Sequence, residues 1–120
     1  MMLRSSLAWH LKVRERNLSW SKELYDALGK VAILDSIIDI GCGIGTWLDY
    51  AKSRGSSVLG FETAQELVVY GENEYNLNLK CELFASSNQS ANKQEATLIT
   101  SISRLAKIFR GWAVDNFDVS

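Results

Sequence analysis

A short apolar run that leads directly into three closely spaced glycines constrains this chain more than any other feature. The run covers residues 36–40 (SIIDI), and the glycine-rich turn GCGIG covers residues 41–45. Brief apolar runs bounded by glycines are typical of central parallel strands, and glycine permits positive φ and close approach of another group. The pattern predicts a buried strand, a tight turn and then a helix over residues 46–54.

Helix and strand patterns alternate on either side of this turn. Before it, a helix is predicted over residues 19–30, with Ser19 or Ser21 as its N-cap and Gly29 at its end. Serine is a favoured N-cap residue, and glycine commonly follows the last helical turn. After it, residues 57–61 predict a second strand that ends just before an acidic residue.

The second half of the chain continues the alternation. Thr63 and Glu66 match a capping box that begins another helix, and residues 77–84 predict a third strand. The clearest helical period lies over residues 97–110, and residues 116–119 predict the entry to a fourth strand. Alternation of this kind implies an α/β fold in which helices flank a mostly parallel sheet.

Composition limits the class of protein. The 120 residues suit one domain, and 47% hydrophobic with 22% charged residues is normal for a chain that buries a core. A formal net charge of -1 argues against a protein that holds nucleic acid, so no nucleic acid partner is expected. No apolar run is long enough to span a membrane, and the N-terminus lacks the apolar core of a signal peptide, so a cytoplasmic protein is expected.

The N-terminal residues 1–16 form an amphipathic, moderately basic segment ahead of a partial domain over residues 17–120. We expect its basic side chains to form a solvated face; they are Arg4, Lys12, Arg14 and Arg16. His10 is expected to be a surface or helix residue rather than a catalytic base, because no carboxylate pattern pairs with it. Cys42 and Cys81 lack the spacing of a zinc site or a disulfide framework, so free thiols and no metal are expected.

A binding site is predicted at the carboxyl ends of the first two strands. Ligands of open α/β sheets bind at this edge, where the glycine-rich turn and Glu62 each follow a strand. A carboxylate there can accept hydrogen bonds from both hydroxyls of a ribose, and it disfavours a 2′-phosphate. Thr46 stands where a dinucleotide fingerprint has its last glycine or alanine, which disfavours a nicotinamide dinucleotide. Two simpler interpretations remain open. In one, the glycines only allow the backbone to make the turn. In the other, Glu62 only stabilises the start of a helix through the helix dipole.

From strand to acid, the sequence IIDIGCGIGTW…VLGFE resembles the first two motifs of the class I S-adenosylmethionine-dependent methyltransferases. The resemblance covers residues 36–84 and implies a Rossmann-like fold, S-adenosyl-L-methionine as cofactor, and methyl transfer to an unknown acceptor, with a small molecule favoured. In the family's pattern, Asp39 faces the methionine part of the cofactor, Glu62 holds the ribose and Glu82 lies near the adenine amino group. The cofactor-binding residues it implies are Asp39, Gly41, Cys42, Gly43, Gly45, Glu62, Thr63 and Glu82. No catalytic residue is implied.

The resemblance also bears on the size of the sheet. The family's sheet is larger than the three to four strands predicted here, so the fold is expected to be truncated and to have an open edge. An unpaired edge needs covering, which predicts a homo-oligomer or a partner chain. The alternative function is a non-catalytic, truncated methyltransferase-like module for binding or interaction.

Overall fold

The computed structural model describes residues 6–84 and 96–101, in which two successive helices are followed by alternating strands and helices and by a last strand. The helices are α1 (Leu7–Lys12), α2 (Arg14–Leu28), α3 (Thr46–Ser53) and α4 (Gln65–Tyr75). The strands are β1 (Ser36–Ile40), β2 (Ser57–Phe61), β3 (Leu79–Lys80) and β4 (Leu98–Thr100). The predicted α/β fold is confirmed, and β1 and β2 have the predicted bounds.

The strands form one sheet in the order β3-β2-β1-β4, and every neighbouring pair is parallel. β1 pairs with β2 along its whole length, from Ser36 opposite Ser57 to Ile40 opposite Phe61. On its other side β1 pairs with β4, where Ile37 lies opposite Leu98. Because the strands are parallel, their carboxyl ends lie at one edge of the sheet, and the turn after β1 lies at that edge.

Within residues 6–84 and 96–101, the core has two parts, one on each face of the sheet. Successive side chains of a strand point to opposite faces, so Ile37 and Ile38 belong to different clusters. The cluster that includes the helices contains Ile37, Trp47, Leu48, Ala51, Val68, Leu77 and Leu79. The other contains Ile38, Leu59 and Phe61, with Phe84 and Ala96 packed against it. Trp47 of the helix-side cluster is 3% exposed.

The start of α2 differs from the prediction. The helix begins at Arg14, so Ser19 and Ser21 lie inside it and neither one is its N-cap. The buried hydroxyl of Ser21 donates to the carbonyl of Asn17 at 2.7 Å, one helical turn earlier. This bond within the helix satisfies the hydroxyl, which explains how a good capping residue is accommodated in the interior. Gly29 lies at the C-cap, as predicted.

The predicted capping box at α4 is wrong. Ala64 occupies the N-cap and makes no side-chain cap bond, and the exposed Thr63 lies outside the helix. The Glu62 carboxylate accepts a hydrogen bond from the Ala64 N–H at 3.0 Å. A carboxylate from the preceding strand end thus satisfies a backbone donor at the start of the helix, so the hydroxyl of Thr63 is not needed there.

The prediction of a helix over residues 97–110 is also wrong for residues 97–101, the part of this range that the structure describes. Leu98–Thr100 form β4, which hydrogen-bonds to the free side of β1. β-branched residues favour strands, and pairing with a central strand outweighs a weak helical periodicity. The predicted third strand over 77–84 is shortened to Leu79–Lys80. The rest of the predicted helix and the predicted strand at 116–119 lie outside the described residues.

Among the described residues, none of the helices has the length and apolar character needed to cross a membrane. In the same part of the chain, no group of three or more His, Cys, Asp or Glu residues is placed to hold a metal ion.

Candidate functional site

The turn between β1 and α3 follows a backbone path that requires glycine. Gly41, Gly43 and Gly45 have φ angles of 70°, 62° and 88°, in the left-handed region that other residues rarely adopt. Gly45 is also the N-cap residue of α3. The three glycines are therefore explained first by the shape of the turn.

Backbone hydrogen bonds fasten this turn to the end of β2. The N–H groups of Gly41 and Cys42 both donate to the carbonyl of Phe61, at 2.8 and 3.1 Å. The N–H of Gly45 donates to the carbonyl of Cys42 at 3.0 Å, which closes the turn on itself. Contacts within the protein thus fix the turn, and the N–H groups of these three residues already have acceptors.

Glu62 joins the turn to α4. Its Oε1 accepts a hydrogen bond from the N–H of Gly43 at 2.9 Å, and its Oε2 accepts one from the N–H of Ala64 at 3.0 Å. A carboxylate has about four acceptor sites, so each oxygen keeps a lone pair for another donor. Glu62 is half-buried, and the two backbone bonds hold it in one orientation. The structure thereby brings together the two parts of the predicted site, the turn and the acid.

Asp39 lies beneath the turn and is closed to solvent, with 1% exposed. Its Oδ1 accepts a hydrogen bond from the hydroxyl of Thr100 at 2.8 Å, and the indole N–H of Trp47 donates to that hydroxyl at 3.2 Å. This buried network links β1, β4 and α3. A ligand could reach the carboxylate only if its neighbours moved.

The thiol of Cys42 points toward the core. A Cβ on Gly60 of β2 would lie 2.6 Å from its Sγ, so a glycine at that position makes room for the sulfur. Burial raises the pKa of the Cys42 thiol, and the negative charges of Asp39 and Glu62 raise it further. The raised pKa favours the protonated thiol, which is a weaker nucleophile than a thiolate.

The last two predicted site residues lie to one side of the turn. Thr63 is exposed, and its carbonyl accepts a weak hydrogen bond from the thiol of Cys81 at 3.6 Å. Glu82 is half-buried and follows β3, the strand next to β2 on the side away from β1. Both share the carboxyl edge of the sheet with the turn.

His10 reaches the same turn from α1, which sequence analysis did not anticipate. A Cβ on Gly43 would lie 2.6 Å from Cε1 and 3.0 Å from Nδ1 of His10, so the imidazole rests directly on Gly43. Burial lowers the pKa of His10, and the negative charge of Glu62 opposes that shift. The histidine is a helix residue as expected, but its position at the site depends on a long-range contact that no local motif signals.

Arg14 connects the start of α2 to two other helices. Its guanidinium donates to Asp49 Oδ2 at 2.7 Å and to the hydroxyl of Thr46 at 3.1 Å, both on α3. The same group lies 3.8 Å from the ring centroid of Tyr75 on α4. The pKa of Tyr75 is raised to about 12, mainly by burial and secondly by a hydrogen bond with Tyr70. The phenol of Tyr75 is therefore uncharged beside the Arg14 guanidinium. The predicted solvated role of Arg14 is wrong, because it anchors the N-terminal helices beside the turn.

Solved structures resemble this chain, whereas family models and curated proteins do not match it. No family model matches the chain, and no curated protein matches it significantly. The plantazolicin methyltransferase BpumL, solved in complex with SAH, is 24% identical over 73% of this chain and 37% of that chain, with a TM-score of 0.53. A TehB-like SAM-dependent methyltransferase from Corynebacterium glutamicum is 23% identical over 65% of this chain and 46% of that chain, with a TM-score of 0.49.

An S-adenosylmethionine-dependent methyltransferase from Clostridium acetobutylicum is 19% identical over 57% of this chain and 30% of that chain, with a TM-score of 0.47. The chain thus spans less than half the length of each of these structures. At identities below 25% the likeness shows a shared fold only. The evidence for that fold is the structure of BpumL, which has a TM-score of 0.53. The described part of this chain has the Rossmann-like α/β fold of the S-adenosylmethionine-dependent methyltransferases.

Proposed function

We propose that this chain binds S-adenosylmethionine and acts as part of a methyltransferase. The observation that carries the proposal is the hydrogen bond between Gly43 and Glu62 at the carboxyl edge of a methyltransferase-like sheet. This edge is where open α/β sheets bind their ligands. Glu62 and the turn lie at the same edge of the sheet, as a nucleoside site formed by both of them requires.

Glu62 fits the sugar of the cofactor. Its two oxygens are oriented by backbone N–H groups and keep acceptor capacity, so vicinal ribose hydroxyls can donate to a group that is already positioned. Its negative charge disfavours a phosphate on the same sugar. Both properties suit an adenosyl group that carries no 2′-phosphate.

The other predicted residues take supporting roles in this proposal. Gly41, Cys42 and Gly45 shape the turn so that the cofactor can approach the backbone. Asp39 places a buried carboxylate beneath the turn, on the side where the family's pattern has the methionine part of the cofactor. Thr63 and Glu82 border the adenine from the direction of β2 and β3. These last two roles follow from position at the sheet edge.

When bound, S-adenosylmethionine supplies a methyl group on a sulfonium that is already a good leaving group. The protein then has to align the acceptor and exclude water, which lowers the barrier through orientation. A small-molecule acceptor is the expectation from the sequence, and none of the residues above is assigned as a general base.

Calorimetric titration of the full chain with S-adenosylhomocysteine tests the proposal. We expect saturable binding, weakened about tenfold or more in Glu62→Ala, because a hydrogen bond to a charged group contributes about 1.5–3 kcal/mol. Glu66→Ala is the matched control, since that acid lies in the first turn of α4 and is exposed. Absence of binding by the folded wild-type chain would overturn the proposal.

Turnover separates the enzyme from a binding module. Transfer of a labelled methyl group from S-adenosylmethionine to a panel of small molecules is expected for a methyltransferase. Binding of the cofactor with no transfer to any acceptor would favour the non-catalytic alternative.

A further inference from the structure

The imidazole of His10 covers the backbone of the turn at the point where Glu62 holds it. Gly43 is buried, and the His10 ring occupies the space beside its Cα. Because Glu62 Oε1 is bonded to the N–H of Gly43, a ligand held by that carboxylate lies alongside the same glycine. His10 and such a ligand therefore require neighbouring or overlapping space.

The helix that carries His10 is weakly attached. α1 has six residues, and none of them is buried. Leu7 lies beside an open groove along α4 that is also lined by Val69 and Tyr70. Short elements with few buried contacts open at low free-energy cost, so α1 is expected to open more readily than the buried strands.

The junction between α1 and α2 is, in contrast, firmly held. Val13 separates the two helices with φ -98° and ψ 3° and is buried. The next residue, Arg14, is fastened to α3 through Asp49 and Thr46. A weakly attached helix beside a fixed junction can swing away while the rest of the protein keeps its shape.

We propose that α1 is a cover over the ligand edge, that His10 is the contact holding it closed, and that His10 and the ligand exclude one another. The identity of the ligand rests on the proposed function; the closed position of α1 does not. A protein that binds ligand only when open has its apparent affinity reduced by the fraction of open molecules. Removing the closing contact should therefore tighten binding, whereas removing a ligand contact would weaken it.

The first experiment needs no ligand. Amide hydrogen exchange of α1 is measured by NMR in the wild type, in His10→Ala and in Lys12→Ala, a substitution of an exposed residue on the same helix. We expect faster exchange in α1 for His10→Ala, unchanged exchange in α3 and β2, and no such change for Lys12→Ala. Equal exchange of α1 in the two variants would overturn the role of His10.

The second experiment titrates the same three proteins with S-adenosylhomocysteine. We expect His10→Ala to bind about threefold tighter or more, and we expect ligand to speed exchange of α1 in the wild type. Weaker binding by His10→Ala would overturn the exclusion, because it would show that the imidazole contacts the ligand favourably. If no protein binds, the proposed function fails, and the first experiment alone decides whether His10 holds α1 closed.

Discussion

Gly43 and Glu62 are joined by a hydrogen bond of 2.9 Å that ties the turn after β1 to the end of β2. The second oxygen of the same carboxylate accepts the N–H of Ala64, at the N-cap of α4. One side chain therefore fixes the relative positions of a turn and a helix. Its predicted ligand role and its observed structural role use different lone pairs of the same group.

Replacing Glu62 by glutamine should destabilise the fold. The amide keeps one acceptor oxygen but presents an NH2 group to the second backbone N–H, which leaves one hydrogen bond unmade at a cost of about 1–3 kcal/mol. Urea unfolding followed by tryptophan fluorescence measures the loss. Glu66→Gln, at an exposed position, is the control, and equal unfolding midpoints for the two variants would contradict the structural role.

Gly43→Ala should lower the free energy of unfolding by more than the left-handed backbone conformation at this position explains. Alanine in this conformation costs about 1–2 kcal/mol, and its Cβ would also meet the ring of His10. Gly55→Ala is the control, because Gly55 has φ 102° and nothing within 4 Å of a Cβ. Urea unfolding of both variants, with and without His10→Ala, forms a double-mutant cycle. The excess cost at Gly43 should disappear in the His10→Ala background, and additive free energies would rule out the contact.

Gly71→Ala tests the packing of α4 on the turn. In an isolated helix the change would stabilise by roughly 1 kcal/mol, but here the new Cβ would lie 2.5 Å from the carbonyl oxygen of Ile44. A backbone atom cannot rotate away, so we expect net destabilisation of about 1–3 kcal/mol in thermal or urea unfolding. Glu72→Ala, the exposed neighbour on the same helix, should be close to neutral. A more stable Gly71→Ala protein would contradict the observed helix position.

Thr100→Val tests the position of β4. Valine preserves the shape but removes the hydroxyl between Asp39 and the indole of Trp47, at an expected cost of about 1–3 kcal/mol. Ile99→Val, at a half-exposed position on the same strand, is the control. The indole N–H resonance of Trp47 should shift in Thr100→Val alone. An unchanged resonance and unchanged stability would mean that β4 does not contact this network.

Acid should release the imidazole of His10 from the turn. Burial lowers its pKa below the usual 6.5, more than the charge of Glu62 raises it, so the closed position disfavours the proton. The closed state is therefore fully favoured above pH 6.5 and loses stability as pH falls from there through the lowered pKa. The chain has one histidine, so NMR titration of its single imidazole signal gives the midpoint directly. A midpoint at or above that of the urea-unfolded chain would contradict the buried position.

The segment from β1 to β2 could be predicted because its signals are local. An apolar run, left-handed glycines and a following apolar run each determine structure over a few residues, and the observed bounds of β1 and β2 agree with the prediction. The helix at α4 was also predicted, although its first turn is stabilised through Glu62 rather than Thr63. Local patterns thus identified the elements better than their caps.

The features that were not predicted depend on contacts between distant parts of the chain. Leu98–Thr100 became a strand because β1 offered a free side, which no local periodicity reveals. His10 and Arg14 lie beside the turn because α1 and α2 return to it, and their sequence neighbours carry no sign of that contact. The closeness of the turn and Glu62 could therefore be predicted from the sequence, but the positions of His10 and Arg14 beside the turn could not.

The two pairings of β1 close very different lengths of chain. β2 follows after one helix, whereas Ser36 of β1 meets Thr97 beside β4 at a sequence separation of 61. Closing a long loop costs conformational entropy, and this cost arises before the contacts between the loop ends have formed. Pairings between distant parts of a chain therefore form slowly. During refolding, β4 should therefore dock last, and until it does one side of β1 is a template on which other molecules can aggregate.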